Sequence, residues 1–172
     1  MTQGLNPQMP SPGRQALGLV AWLALCFLTA FIGAVASINA PAFYGQLTQP
    51  EWAPPAWLFG PMWTTLFIMM AISAWLVWRH GGFGAQRRPL VLFLCQLAFN
   101  GLWSWLFFAW QLGGPAFADI VILWLLIAAT MVAFWRTSPL AGLLLVPYLA
   151  WVSFAGMLNY TLWQLNPQVL GG

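Results

Sequence analysis

The 172-residue chain is 62% hydrophobic and 4% charged, and five arginines against two acidic residues give it a net charge of +3. Soluble domains carry roughly 25% charged residues, so this composition excludes a water-soluble globular protein. The arginines are scattered and form no basic patch, which excludes a nucleic-acid-binding surface. We therefore expect a membrane protein with no nucleic-acid partner.

The charged residues separate long apolar tracts, at 15–50, 52–78, 89–118, 120–135 and 137–172. A bilayer-spanning helix needs about 20 apolar residues, so each tract can hold one span. Backbone amides in hydrocarbon must be satisfied within their own segment, which favours helices. The sequence thus predicts an all-α membrane protein, a five-transmembrane-helix bundle.

The N-terminal part of the chain begins with a polar segment, residues 1–13, which we expect to be a disordered tail. A single transmembrane domain, residues 14–166, follows, and residues 167–172 form a C-terminal tail. The first span is predicted at 15–38. It carries a patch of small residues that permits close helix packing: Ala30, Gly33, Ala34 and Ser37.

A long loop at 39–55 precedes the remaining spans. Those spans are predicted at 59–79, 89–110, 115–135 and 139–164. Pro147 lies inside the last of them and predicts a kink. Because the turns after the long loop are short, we expect neighbouring spans to pack antiparallel in one bundle.

The arginines all fall on one side of such a bundle. If the N terminus is cytoplasmic, Arg14, Arg79, Arg87, Arg88 and Arg136 face the cytoplasm, and the other side has no basic residue. This split is a strong positive-inside signal. We expect a cytoplasmic N terminus, with the C terminus and the 39–55 loop on the opposite side.

Few residues have the chemistry of a reactive site. Cys26 and Cys95 lie inside predicted spans, where cysteine usually packs as a small apolar residue, so we expect no disulfide. His80 follows the second span, and we expect it to be solvated. Asp119 falls in the first turns of the fourth span, where the helix dipole favours a carboxylate, so we interpret it as structural. We expect no metal and no cofactor.

The 39–55 loop combines prolines with aromatic residues. Its prolines fix φ and remove hydrogen-bond donors, which predicts a stiff, extended segment. Trp and Tyr settle at headgroup level in many membrane proteins, and this interfacial role is our interpretation of the neighbouring Trp57. We interpret Tyr44 and Trp52 as part of a lid over the mouth of the bundle.

Two spans place polar and aromatic residues on one helical face. In the third span, four residues follow helical spacing: Gln96, Asn100, Trp103 and Phe107. Mid-membrane amides should point into the bundle, where they bond another helix or a ligand, and both roles remain open for Asn100. In the fifth span, aromatic residues surround Ala155 and Gly156, and this space admits either a neighbouring helix or a flat apolar ligand. Trp63 in the second span would close the remaining wall.

Three ordered blocks of residues carry a family pattern. The first is Pro50-x-Trp52-x-Pro54-Pro55 followed by Phe59-x-Pro61-x-Trp63-Thr64-x-Leu66. The second is Gln96-Leu97-x-x-Asn100-x-x-Trp103 with Phe107-Phe108, followed by Asp119 in the fourth span. The third is Pro147-Tyr148-x-x-Trp151-x-x-Phe154-Ala155-x-x-Leu158-Asn159. Over about residues 43–166 the chain resembles the TspO/MBR translocator proteins, formerly the peripheral benzodiazepine receptors, which include bacterial tryptophan-rich sensory proteins.

The resemblance implies a five-helix bundle in membrane lipid, often a homodimer, with a cavity that opens toward the 39–55 loop. It implies porphyrins, haem-like tetrapyrroles, sterols or benzodiazepine-type compounds as ligands rather than as cofactors. By matching position, eight residues would bind the ligand: Tyr44, Trp52, Trp63, Asn100, Trp103, Trp151, Ala155 and Leu158. Trp63 and Trp151 match tryptophans that the family links to light-dependent porphyrin breakdown.

Three positions depart from the family pattern. Gln49 replaces the usual lysine, which removes a partner for an anionic propionate. Phe67 stands where tyrosine is frequent. A cholesterol motif needs a basic residue after Tyr160, but Trp163 and Gln164 follow instead, so specific sterol recognition is not expected.

Three functions follow as hypotheses. The first is a membrane protein that binds tetrapyrroles for transport, sensing or stress regulation. The second is a light- and oxygen-dependent enzyme that degrades porphyrins with Trp63 and Trp151. The third is a structural or partner-binding membrane subunit whose cavity is incidental.

Overall fold

Five long helical segments dominate the computed structural model, which describes residues 11–171. The helices are α1 (Pro12–Ala36), α2 (Ala40–Gln46), α3 (Phe59–Trp78), α4 (Gly82–Ala85), α5 (Arg87–Ser104), α6 (Gly113–Thr137), α7 (Pro139–Leu144), α8 (Val146–Leu165) and α9 (Pro167–Leu170). A 3₁₀ turn, Ala56–Leu58, leads into α3, and a π-helical turn, Trp105–Ala109, extends α5. Five segments are long and apolar enough to cross a membrane, as the sequence predicts.

The order of the spans around the bundle follows from their packing. Helix α1 packs against α3 and α5, α5 against α6, α6 against α7 and α8, and α7 against α3. The spans therefore run one, two, five, four, three around the bundle, with α7 and α8 together forming the fifth span. Cys26 is buried and Cys95 is exposed, and both are free thiols, as expected.

Hydrogen bonds join the helix ends that carry the arginines. The Trp75 indole donates to the Gln15 carbonyl at 2.9 Å, which ties the end of α3 to the start of α1. The Thr137 hydroxyl donates to Gln86 at 3.1 Å, which ties the end of α6 to the turn before α5. His80 is exposed, as expected, and its Nδ1 lies 2.7 Å from the Leu76 carbonyl. This end of the bundle, which we call the arginine end, is held together by short polar contacts.

The opposite end is closed by the loop and the C-terminal segment. The Asn166 side chain accepts from the Thr48 amide at 2.8 Å and donates to the Thr48 carbonyl at 3.0 Å. Helix α9 follows, and Leu170 is buried. Residues 167–172, expected to form a C-terminal tail, contain this short helix, and burial of Leu170 packs it against the bundle.

Other boundaries also differ from the sequence prediction. The long loop at 39–55 contains α2, since Pro41 suits a first helical turn and Phe43 and Tyr44 gain burial there. The fifth span breaks between α7 and α8 near Pro147, so the predicted kink is confirmed. Of the disordered tail expected at residues 1–13, residues 1–10 lie outside the described part, and α1 already begins at Pro12.

Candidate functional site

A cavity of about 670 Å³ lies between α1, α3 and α5, beneath α2. Its walls are rich in aromatic residues, and eight rings line it: Phe27, Phe31, Tyr44, Phe59, Trp63, Phe67, Trp103 and Phe108. Asn100 and Ser104 add polar groups, and none of the described residues that line the cavity is charged. Ligand sites in proteins have volumes of roughly 300–1,000 Å³ and are mainly apolar with a few placed polar groups, so this cavity suits a drug-sized apolar molecule.

The cavity exists because α1 and α3 touch closely at the arginine end and separate toward α2. Gly18 of α1 lies so near the Trp78 ring that an added Cβ would be 2.3 Å from it. At the other end the small residues Gly33 and Ala34 line the cavity. The predicted close packing of this small-residue patch is therefore only partly found: Gly33 approaches Ser104 of α5, while the side toward α3 stays open.

The cavity opens on the side of the bundle. Phe31 lines it and is 66% exposed, and Gly60 and Thr64 on α3 are also exposed. The exposed lining residues of α1 and α3 face the surface that an apolar bundle presents to lipid. A ligand could therefore enter between these two helices.

Helix α2 forms the roof of the cavity together with the segment that follows it. The buried Tyr44 hydroxyl donates to the Pro54 carbonyl at 3.1 Å, and the Gln49 amide donates to the Tyr44 carbonyl at 2.5 Å. Burial raises the pKa of the Tyr44 phenol above its ordinary value, so it stays a neutral donor at neutral pH. Gln49, which stands where lysine is usual in the family that the sequence resembles, thus stabilises the roof by binding the backbone of α2.

Two hydrogen-bonded chains connect α5 with α8 behind the cavity. The Asn100 amide donates to the Tyr148 hydroxyl at 2.9 Å, which donates to Gln96 at 2.8 Å. The Trp103 indole donates to Asn159 at 3.0 Å. Both roles left open for Asn100 are structurally compatible, since it bonds a neighbouring helix and also lines the cavity.

The structure brings four of the eight predicted ligand-binding residues to the cavity: Tyr44, Trp63, Asn100 and Trp103. The other four are not among its lining residues, and the Trp151 ring lies against the lining residue Phe59 at 5.9 Å between ring centroids. Trp52 is 46% exposed and rests edge-on against Phe154. Ala155 and Leu158 are buried in the core. No residue of the fifth span is among the described residues that line this cavity, and a ligand role for these four stays a prediction.

Sequence reasoning missed the contribution of α1 and of three phenylalanines, Phe59, Phe67 and Phe108. Each belongs to an apolar run in which helical periodicity gives no distinction between a cavity, a neighbouring helix and lipid. The family motif did contain Phe59 and Phe108. It could have indicated them, but the motif alone does not say which side of α3 opens.

Asp119 also differs from its sequence interpretation. Helix α6 begins at Gly113, which makes Asp119 its seventh residue, beyond the first turn where the dipole acts. It is 4% exposed, and within residues 11–171 neither carboxyl oxygen has a hydrogen-bond partner. The dipole explanation is therefore wrong.

The arrangement of spans, roof and cavity can be compared with known proteins. The model of the TspO/MBR family matches residues 22–164. The chain belongs to the TspO/MBR family. It is 45% identical over 159 residues to the tryptophan-rich protein TspO of Chlorobaculum tepidum, covering 90% of this chain and 99% of the relative.

Other relatives come from distant organisms. The translocator protein of Bos taurus is 43% identical over 126 residues, 72% of this chain and 75% of the relative. The tryptophan-rich sensory protein of Cereibacter sphaeroides is 37% identical over 147 residues, 86% of this chain and 90% of the relative. Family membership and the five apolar helices together make the chain an integral, multi-pass membrane protein.

Proposed function

We propose that this TspO/MBR protein binds a flat, mostly apolar ligand of the tetrapyrrole class in the cavity between α1, α3 and α5. The observation that carries the proposal is the uncharged aromatic cavity of about 670 Å³. Aromatic faces stack on a planar ring, and the Asn100 amide and the Ser104 hydroxyl can orient polar groups at its edge. Acidic substituents would remain at the open side, since no cation lines the described walls.

The role of binding is transport, sensing or stress regulation. Relatives are named translocator protein and tryptophan-rich sensory protein, and these names support a carrier or a sensor. The open side of the cavity supports the same view, because a ligand could pass between the membrane and the cavity there.

Trp63 provides the sharpest test of the binding proposal. Protoporphyrin IX is titrated into purified protein while tryptophan fluorescence is recorded. Loss of an aromatic partner costs about 0.5–1.5 kcal/mol, so Trp63→Ala should weaken binding roughly 2- to 12-fold. Trp57→Ala is the matched control, because Trp57 is 71% exposed and does not line the cavity. Equal affinity of both variants and wild type would remove the proposed site.

The porphyrin-degrading alternative is distinguished by light. Trp63 lines the cavity, whereas Trp151 is not among the lining residues and contacts the lining ring of Phe59. A binding protein should leave the absorption spectrum of bound protoporphyrin IX as stable under illumination as that of free porphyrin. A new absorbing product whose formation is lost in Trp63→Phe or Trp151→Phe would instead support catalysis.

We further propose a cytoplasmic N terminus and a homodimer in the bilayer. The clustering of Arg14, Arg79 and Arg136 at one end supports the orientation through the positive-inside rule. Family resemblance supports the dimer. Labelling of a cysteine placed at Glu51 from outside intact cells tests the orientation, and chemical crosslinking in native membranes tests the dimer.

A further inference from the structure

Asp119 is one of two acidic residues in the chain and lies buried inside the bundle. Its helix, α6, packs against α5, α7 and α8, and its carboxyl oxygens have no hydrogen-bond partner in the described part of the chain. An ionised carboxylate in such surroundings is strongly unfavourable, whereas a neutral carboxylic acid is tolerated far better.

The elements packed against α6 supply no counter-ion in the region that the structure describes. Helices α3 and α7 and the π-helical turn contain no titratable residue. On α5, Arg87 and Arg88 lie in the first turn at the arginine end, and Cys95 is exposed. The two arginines are therefore at the other end of α5, and Cys95 carries no positive charge, so none of the three neutralises Asp119 directly.

Helix α8 contributes two tyrosines. Tyr160 is 47% exposed, whereas Tyr148 is fully buried and close enough to Asp119 to interact with it electrostatically. Neither a phenol nor a thiol supplies positive charge, so a small mobile cation has to neutralise the carboxylate.

A metal ion does not suit this position. Metal cations require several oxygen, nitrogen or sulfur ligands, and no group of three His, Cys, Asp or Glu side chains occurs within residues 11–171. The amide of Asn159 on α8 is already committed, since its oxygen accepts from Trp103 and its nitrogen donates to the Gly113 carbonyl at 3.1 Å. The proton is the cation that needs no further ligands.

We propose that Asp119 is an intramembrane proton-binding site, which holds a proton as a neutral carboxylic acid while the helices are packed. Release of that proton would place a negative charge near Tyr148, whose hydroxyl joins Asn100 to Gln96. The charge would oppose the packed arrangement of α5, α6 and α8. The proton is therefore retained while these helices stay together and leaves when they separate.

Infrared spectroscopy tests the site directly, because the C=O stretch of a carboxylic acid is separated from the carboxylate bands. In Glu51→Gln, Asp119 is the one remaining side-chain carboxyl, and the C-terminal carboxyl has a reference pKa of about 3.3–3.7. This variant should show one carboxylic-acid band per chain at neutral pH, shifted by D₂O. Carboxylate bands alone in Glu51→Gln would overturn the proposal.

Substitution of Asp119 gives a second measurement. Asp119→Asn is neutral and close in shape to the protonated acid, so it should lose the acid band and keep the thermal midpoint of wild type. Asp119→Ala, which leaves a cavity, should lower the midpoint. If Asp119→Asn lowers the midpoint as far as Asp119→Ala, or fails to fold while Glu51→Gln shows no acid band, the carboxylate is ionised and the proposal is wrong.

Discussion

The Tyr148 hydroxyl is the centre of a buried polar chain, and its removal gives a direct measure of how much that chain stabilises the bundle. The hydroxyl accepts from Asn100 at 2.9 Å and donates to Gln96 at 2.8 Å, and Tyr148 is fully buried. Tyr148→Phe keeps the ring, including its edge contact with Trp63, and leaves two amide groups without this partner.

The size of the effect follows from the setting in the membrane. Hydrogen bonds between transmembrane helices contribute on average about 0.6 and at most about 1.7 kcal/mol, since the unfolded chain in the membrane also finds partners. For two bonds, Tyr148→Phe should therefore lower the free energy of unfolding by about 1–3 kcal/mol. Tyr160→Phe, at a half-exposed position of the same helix, should change it by less than about 0.5 kcal/mol.

The assay is SDS-driven unfolding in mixed micelles, followed by circular dichroism for wild type and both variants. Because Tyr148 and Tyr160 lie on one helix and undergo the same substitution, changes in helix propensity are matched. Equal unfolding free energies for the two variants would refute the reasoning that the Asn100–Tyr148–Gln96 chain stabilises the fold.

Two further predictions concern the ends of the bundle. Gly18→Ala should lower the free energy of unfolding by about 1–3 kcal/mol, because an added Cβ would lie 2.3 Å from the Trp78 ring of α3. Gly45→Ala is the control, since a Cβ at Gly45 meets no atom within 4 Å. Equal free energies of unfolding for the two variants would contradict the close contact between Gly18 and Trp78. Asn166→Ala should speed hydrogen exchange at the Thr48 amide, because this amide loses its acceptor. Asn39→Ala should leave that exchange rate unchanged, since the Asn39 side chain makes no capping hydrogen bond to α2. An unchanged rate at Thr48 in Asn166→Ala would show that the Asn166 side chain does not protect this amide.

The spans could be predicted from sequence because hydropathy and charge act locally. Each tract between charged residues contains one membrane-spanning helix. Arg14, Arg79, Arg87 and Arg136 lie at alternate ends of successive spans, which assigns those ends to one side of the bundle. The inward direction of Asn100 was also predictable, since an amide at mid-membrane has few other options. Of the eight ligand-binding residues that the family resemblance implied, four line the cavity.

The position of the cavity was not predictable in the same way. It depends on the spacing between two helices: Gly18 of α1 lies against the Trp78 ring of α3, whereas Gly33 and Ala34 further along α1 line the cavity. Nor does local sequence show that Phe59 lines the cavity and Trp151 does not, because both rings belong to apolar runs of similar composition. Similarly, α2 and α9 are stabilised by burial of Tyr44 and Leu170 against distant parts of the chain.

The gap between α1 and α3 changes how affinity for this protein has to be measured. A hydrophobic compound that arrives through the acyl chains reaches its site from a reservoir in which it is already concentrated by partitioning. Its apparent dissociation constant, expressed per volume of buffer, will then rise in proportion to the amount of lipid or detergent present. Expressed as a mole fraction in the bilayer, the same constant should become independent of that amount.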